Sequence, residues 1–202
     1  MKNRLVRLSW LPLLLVVTVF SQPLYAESAA LEHLKTSLAS VQQVLRDPKL
    51  AGEKHFSQRR KLVRIVLQQL FDFEEMSRRS LGANARRYKD RLAEFNPLFV
   101  DFLEHAYMGT LEANGDAKIQ YVKESNDGDN VQILTRAKLT DGNEYRVDYK
   151  LHLNQAGWRV YDVTVEGISL VNNYRSQFAR FLNNKSFDEL LKDLREKKEK
   201  FS

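Results

Sequence analysis

The sequence predicts an α+β fold in which a run of helices packs on one face of a four-stranded antiparallel sheet. Two observations predict it. Over residues 31–107 apolar side chains recur every three or four positions, which is the spacing of amphipathic helices. From Ala117 the apolar period changes to two, and turn signals separate four alternating segments. Helical spacing then returns after Ser169.

The first half of the chain predicts four helices. Residues 31–46 and 54–71 each carry a continuous apolar stripe. Asp72 has the spacing of a capping residue for a third, short helix that ends at Gly82. A fourth helix is expected to open at Pro97, because proline is favoured in the first turn.

The second half predicts a meander of four strands with one apolar face. Turn signals at 126–128, 141–142 and 155–157 separate the strands, and the last strand runs over 158–165. Ser169 can cap the first of two closing helices.

The beginning of the chain has the pattern of a secretory signal. Lys2, Arg4 and Arg7 precede the apolar run Leu8–Phe20, and Ala26 follows at the position of a cleavage site. The apolar run is shorter than the ~20 residues that a spanning helix needs, which disfavours a retained membrane anchor. We therefore expect residues 1–26 to be a signal peptide.

Residues 27–202 are then expected to form a single domain of 176 of the 202 residues, enough to bury a sizeable core. Removing the three cations of the signal lowers the formal charge from +6 to +3. Apart from the run Arg59-Arg60-Lys61 and the tail, Lys and Arg are mixed with acidic residues along the rest, so nucleic acid is not an expected partner. The chain has no cysteine, which excludes disulfides, thiolate metal sites and cysteine nucleophiles.

Few residues have the arrangement of a catalytic or metal site. The four histidines are widely separated and none has a metal-binding spacing, so no metal site is expected. Asp162 and Glu166 are the main acid–base candidates, because strand spacing would turn both to one face. The interpretation we favour is a structural joint, in which Gly167 permits an unusual backbone angle and Ser169 caps a helix.

Aromatic residues are concentrated on the predicted inward faces. This pattern alone does not distinguish a filled core from a hollow one. The residues are Phe71, Phe73, Phe99, Phe102, Tyr107, Tyr121, Tyr149, Tyr161 and Tyr174.

Several segments, in order along the chain, resemble the MlaC family of periplasmic phospholipid-binding proteins, also called the toluene-tolerance auxiliary family. The segment from Trp158 to Phe178 is the most specific of them. The matching segments are Phe71-Asp72-Phe73, Leu81-Gly82, Val147-Asp148-Tyr149, WRVYDV at 158–163, EGISLV at 166–171 and NYRSQF at 173–178.

The resemblance implies a sheet similar to that of nuclear transport factor two, wrapped by helices around a deep apolar pocket. It implies a periplasmic carrier that shuttles phospholipid between the outer and inner membranes and maintains outer-membrane lipid asymmetry. Phospholipid would be its cargo, with no catalysis, metal or other cofactor. Its implied partners are an outer-membrane lipoprotein–porin complex and an inner-membrane ABC transporter that bears MCE domains.

On this interpretation the sheet and the helices both contribute to the lipid pocket. The expected lining from the sheet is Tyr121, Ile133, Val147, Tyr149, Leu151, Val163 and Val165, and from the helices Phe71, Phe73, Phe99, Leu103 and Tyr174. Three alternatives stay open. They are a periplasmic enzyme that uses Asp162 and Glu166, a relative that binds a hopanoid or another lipid, and a purely structural envelope protein.

Overall fold

A computed structural model describes residues 28–200 of the 202-residue chain, with side chains as far as residue 197. The predicted signal peptide, residues 1–26, lies outside the described residues. Within residues 28–200, no helix is both long enough and apolar enough to cross a membrane.

Seven α-helices and five β-strands make up the described part of the chain, with the strands between the fifth and sixth helices. The helices are α1 Ala29–Arg46, α2 Phe56–Leu70, α3 Phe73–Leu81, α4 Asn84–Arg87, α5 Leu92–Ala113, α6 Leu170–Asn184 and α7 Phe187–Lys200. The strands are β1 Lys118–Asp127, β2 Asn130–Lys138, β3 Glu144–Asn154, β4 Gly157–Val165 and β5 Ile168–Ser169.

The strands form one antiparallel sheet in sequential order, which confirms the predicted α+β class. The expected number of strands was wrong, because a short fifth strand pairs with β4. Glu166 and Gly167 have φ angles of 49° and 81°, so they form a two-residue turn with both φ positive. This turn brings Ile168 and Ser169 back against Val165 and Thr164.

The predicted start of the long helix was also wrong. Helix α5 begins at Leu92, and Pro97 lies inside it. Phe95 and Phe99, one turn apart, are both fully buried. Their burial holds the first turns of α5 in place although Pro97 donates no backbone hydrogen bond.

Two bulges set which side chains share the apolar face of the sheet. The pairing of β1 with β2 skips Val122, and the pairing of β3 with β4 skips Tyr161. Because of the second bulge, Val160 and Val163 face the same side although they are three residues apart. Simple alternation would place them on opposite faces.

Buried apolar side chains form three clusters. The sheet cluster consists of Ala30, Leu34, Leu70, Val131, Ile133, Leu151 and Val160. The central-helix cluster consists of Val41, Val63 and Met108. The aromatic cluster consists of Met76, Leu81, Ala85, Phe95, Phe99, Leu103, Val171, Tyr174, Phe178, Phe187, Leu190, Leu191 and Leu194.

A buried carboxylate fixes α6 to the end of the sheet. Asp162 is 4% exposed and accepts hydrogen bonds from Ser169 Oγ at 2.7 Å and from Val171 N at 3.1 Å. Ser169 Oγ in turn accepts from Asn172 N at 3.1 Å, which makes Ser169 the N-cap of α6. Lys150 Nζ lies 3.4 Å from the same carboxylate. One side chain therefore joins β3, β4, β5 and α6.

We predict that Asp162→Asn lowers the free energy of unfolding by about 1–3 kcal/mol. The substitution replaces one carboxylate oxygen, which accepts hydrogen bonds, with an NH₂ group, which would face the donors that now bond to Asp162. Urea denaturation followed by circular dichroism measures the change. Asp141→Asn is the matched control. Asp141 bonds only to Asn143 in an exposed turn, and its substitution should change stability by less than about 0.5 kcal/mol. Equal stability of Asp162→Asn and the parent protein would contradict the role given to Asp162.

Candidate functional site

The apolar face of the sheet is covered unevenly. At one end Val131, Leu151 and Val160 are buried beneath α1. Toward the end where β4 turns into β5, Val147 is half-buried and Val165 is 44% exposed. Apolar surface of β3 and β4 is therefore left uncovered at this second end, whereas Thr135 of β2, which pairs with Val147, is fully buried.

The course of α1 explains the uneven cover. Leu34 packs in the sheet cluster, whereas Val41, two turns later, packs in the central-helix cluster. Helix α1 is tied near both its ends. Ser28 Oγ donates to Glu124 at 2.8 Å near the start, and Arg46 Nε donates to the carbonyl of Gly115 at 3.0 Å at the end. The helix thus runs beside β1, and its apolar side chains change partner from the sheet at Leu34 to α2 and α5 at Val41.

The seven sheet residues predicted to bind lipid share one face. Ile133 pairs with Tyr149, and Tyr149 pairs with Val163; Val147 pairs with Val165 in the neighbouring row. Their cover differs along that face. Ile133 and Leu151 are buried in the sheet cluster, whereas Tyr121, Tyr149 and Val163 are half-buried at its margin, and Val147 and Val165 belong to none of the three clusters.

The five helix residues predicted to face the sheet are divided. Phe71 packs against both the sheet cluster and the aromatic cluster, and its ring stacks on Phe73 at 5.5 Å. Phe99, Leu103 and Tyr174 are buried within the aromatic cluster. The lining role predicted for these five residues stays a prediction.

Helix α7 accounts for this difference. Phe187, Leu190, Leu191 and Leu194 of α7 pack in the aromatic cluster. The ring of Phe187 lies 6.1 Å from that of Phe95. An apolar stripe shows that one side of a helix packs against another element, but it does not show which element. From the sequence alone, these helix faces were therefore predicted to pack on the sheet.

Several residues that cover the sheet were not predicted from the sequence. Leu34 of α1 and Leu70 of α2 pack directly on it, and Val160 of β4 lies beneath them. Leu34 and Leu70 stand on the predicted apolar stripes of their helices, so the signal was present. The two stripes did not show, however, which helices lie over the sheet.

Two tyrosines of the site have raised pKa values. Burial raises the pKa of Tyr149, and the neighbouring Tyr121 adds to the effect. Burial also raises the pKa of Tyr174, helped by a hydrogen bond with Tyr107, whose hydroxyl oxygen lies 3.3 Å away. Both phenols therefore keep their protons well above neutral pH.

Asp162 and Glu166 do not form a carboxylate pair with shared partners. Asp162 bonds to the start of α6, as described above. The Glu166 carboxylate accepts a hydrogen bond from the backbone N–H of Arg146, and the N–H of Glu166 donates to the carbonyl of Arg146 at 3.0 Å. Each carboxylate is thus engaged with a different strand or helix end.

Other polar residues link separate secondary-structure elements through hydrogen bonds. His152 Nε2 lies 2.9 Å from Asp72, the N-cap of α3, and so links β3 to that helix. Among the described residues, no group of three or more His, Asp or Glu side chains could hold a metal ion.

Two of the surface depressions in the described part of the chain have volumes of about 620 Å³ and 380 Å³. The larger lies along the end of α1 and is lined by Ala39, Gln42, Gln43, Arg46, Asp47 and Pro48. The smaller lies between α6 and α7 and is lined by Gln177, Phe178, Arg180, Phe181, Leu190, Asp193 and Lys197. Neither contains a residue predicted to bind lipid, and the deep pocket stays a prediction.

Comparison with known proteins identifies the family. The structure is similar to that of a phospholipid-binding protein from Ralstonia solanacearum, solved in complex with a phospholipid, with a TM-score of 0.75. The two are 21% identical, and the match covers 86% of this chain and 99% of that chain. No curated protein matches the sequence. The family model described as MlaC protein matches residues 35–196, well over half of the sequence, and the chain therefore belongs to the MlaC family.

Proposed function

We propose that the protein binds a phospholipid between the uncovered end of the sheet and the helices, and carries it through the periplasm. The observation that carries this proposal is the apolar sheet face itself, on which Val147 and Val165 pack in none of the three clusters. Membership of the MlaC family supports it. So does the phospholipid bound by the similar protein from Ralstonia solanacearum.

Tyr149 supports a ligand on this face. It pairs with Ile133 and Val163 on the apolar side of the sheet and lies at the margin of the sheet cluster. Its side chain is only half-buried, so it offers surface that a lipid would cover.

The separation of the clusters supports the same conclusion. A domain of ordinary size usually has one contiguous core with small satellites. Here the sheet cluster and the aromatic cluster meet through Phe71, which is only half-buried, while Val41 turns away from the sheet. Acyl chains that fill the intervening space would join the clusters and remove apolar surface from water.

A carrier must shield its cargo completely. Each CH₂ group withdrawn from water contributes about 0.8 kcal/mol, so a two-chain lipid strongly favours an apolar enclosure. Binding of this kind requires no catalytic group, and the separate partners of Asp162 and Glu166 give no support to the enzyme alternative. A hopanoid or another lipid would use the same apolar face.

We further propose that residues 1–26 direct export and that the carrier shuttles phospholipid between the outer and inner membranes, which maintains outer-membrane lipid asymmetry. Its proposed partners are an outer-membrane lipoprotein–porin complex and an inner-membrane ABC transporter with MCE domains. Membership of the MlaC family supports this part of the proposal.

Val147→Arg should abolish lipid retention and leave the fold largely intact. A guanidinium directed at acyl chains is costly, whereas in the absence of lipid a long side chain can reach water from a half-buried position. Phospholipid in an organic extract of the purified variant, measured by mass spectrometry against protein amount, tests this.

Val122→Arg is the matched control. Val122 lies in a strand of the same sheet but is exposed at the β1 bulge and belongs to none of the clusters. It should retain as much lipid as the parent protein. A normal lipid content in Val147→Arg would show that this face of the sheet is not the binding surface.

Export predicts a processed N-terminus. The periplasmic protein should begin at Glu27, because the pattern of residues 1–26 places cleavage after Ala26. Intact-mass analysis of protein from a periplasmic extract measures this directly. Recovery of a membrane-bound form that still carries residues 1–26 would contradict a freely diffusing carrier.

A further inference from the structure

A pair of tyrosine hydroxyls lies between α5 and α6. The oxygens of Tyr107 and Tyr174 are 3.3 Å apart. Neither hydroxyl has another hydrogen-bond partner within residues 28–197. Two phenols that bond to each other use one O–H as a donor, so the second O–H is left without an acceptor in the protein.

The packing of the two rings indicates which hydroxyl is free. Tyr174 is 6% exposed, and its ring meets those of Phe99 and Phe102 edge to face at 5.3 and 5.5 Å. These contacts fix Tyr174. Tyr107 is 38% exposed. The buried hydroxyl of Tyr174 is satisfied when it donates to the Tyr107 oxygen. In that arrangement the Tyr107 O–H is directed away from the aromatic cluster.

The pair lies where the three parts of the candidate site meet. Tyr174 is in the second turn of α6, which follows directly on the pairing of β5 with the end of β4. Tyr107 precedes Met108, which packs against α1 and α2 in the central-helix cluster. The pair is thus placed between the aromatic cluster and the central-helix cluster, close to the end of β4 where α6 begins.

A donor at this border is suited to one part of a phospholipid. The ester carbonyls that join the acyl chains to glycerol accept hydrogen bonds and donate none. A phosphate would instead be matched by cations. The nearby arginines of α2 are already paired, Arg59 and Arg60 with Glu112 and Arg64 with Glu104.

We infer that the Tyr107 hydroxyl, positioned by Tyr174, donates to an acyl ester carbonyl of the bound lipid and makes the protein select ester-linked over ether-linked lipids. This inference rests on the proposed function. An ether-linked lipid has the same apolar chains and headgroup but lacks the carbonyl, so it would leave the Tyr107 donor unpaired in the bound state.

Competition between two lipids tests the inference. Delipidated mature protein is incubated with vesicles that contain equal amounts of dioleoyl phosphatidylglycerol and its dioleyl ether counterpart, and the bound lipids are quantified by mass spectrometry. The parent protein should enrich the ester form about five- to tenfold, the discrimination that one hydrogen bond provides. Tyr107→Phe should reduce the ratio to about one, and Tyr174→Phe should give an intermediate ratio. Both variants keep the rings and their packing.

Tyr88→Phe is the control, since the ring of Tyr88 stacks on Phe187 at 4.2 Å and its contacts lie within the aromatic cluster. It should enrich the ester lipid as the parent does. Equal uptake of both lipids by the parent, or undiminished enrichment in Tyr107→Phe, would overturn the inference and leave the proposed function standing. Failure of the parent to take up either lipid would overturn the proposed function and this inference with it.

Discussion

One face of the five-stranded sheet is apolar from β1 to β4, and α1 covers only one end of it. Leu34 packs on that face, but the helix then rises to Val41, which packs with α2 and α5. Apolar surface that is left open to water is unfavourable, at about 25 cal/mol per Å². The change of packing partner along α1, from the sheet at Leu34 to α2 and α5 at Val41, is therefore the constraint on which the open part of the sheet face depends.

The remaining helices do not close the gap that α1 leaves. Helices α3, α5 and α6 bury their aromatic residues against α7, in a cluster beside the sheet. Asp162 fixes the start of α6 at the end of β4, so this helix is attached to the sheet through polar contacts. The aromatic cluster is thus packed by the helices of the protein itself, whereas the sheet face is the surface that the proposed ligand would cover. A ligand that binds only the folded protein would add its binding free energy to the stability of the domain.

Much of the fold was predictable because its signals are periodic. The change of apolar period near Ala117 located the sheet, and alternation identified seven of the residues that lie on its apolar face. The fifth strand was not predictable in this way, since its two residues are too few to show an alternation of apolar and polar side chains. The bulge at Tyr161 was also missed. Its ring stacks against the guanidinium of Arg79 at 4.0 Å, a tertiary contact that local sequence does not reveal.

The candidate site was less predictable than the fold. The sheet residues were found because a strand has only two faces, but a helix stripe leaves the identity of its partner open. Phe99 and Tyr174 were therefore assigned to the sheet, whereas both are buried in the aromatic cluster, to which α7 contributes. Glu166 was expected to follow strand alternation beside Asp162. Its φ of 49° places it in a turn, and the two carboxylates serve separate elements.

The central claim is that an acyl-chain ligand occupies the space beside Val147 and Val165. Native mass spectrometry of protein purified from a periplasmic extract without detergent tests this most directly. The account predicts a species heavier than the polypeptide of residues 27–202 by the mass of one phospholipid, and release of that lipid on denaturation. A protein that carries the bare polypeptide mass, and that takes up no lipid from added vesicles, would contradict it.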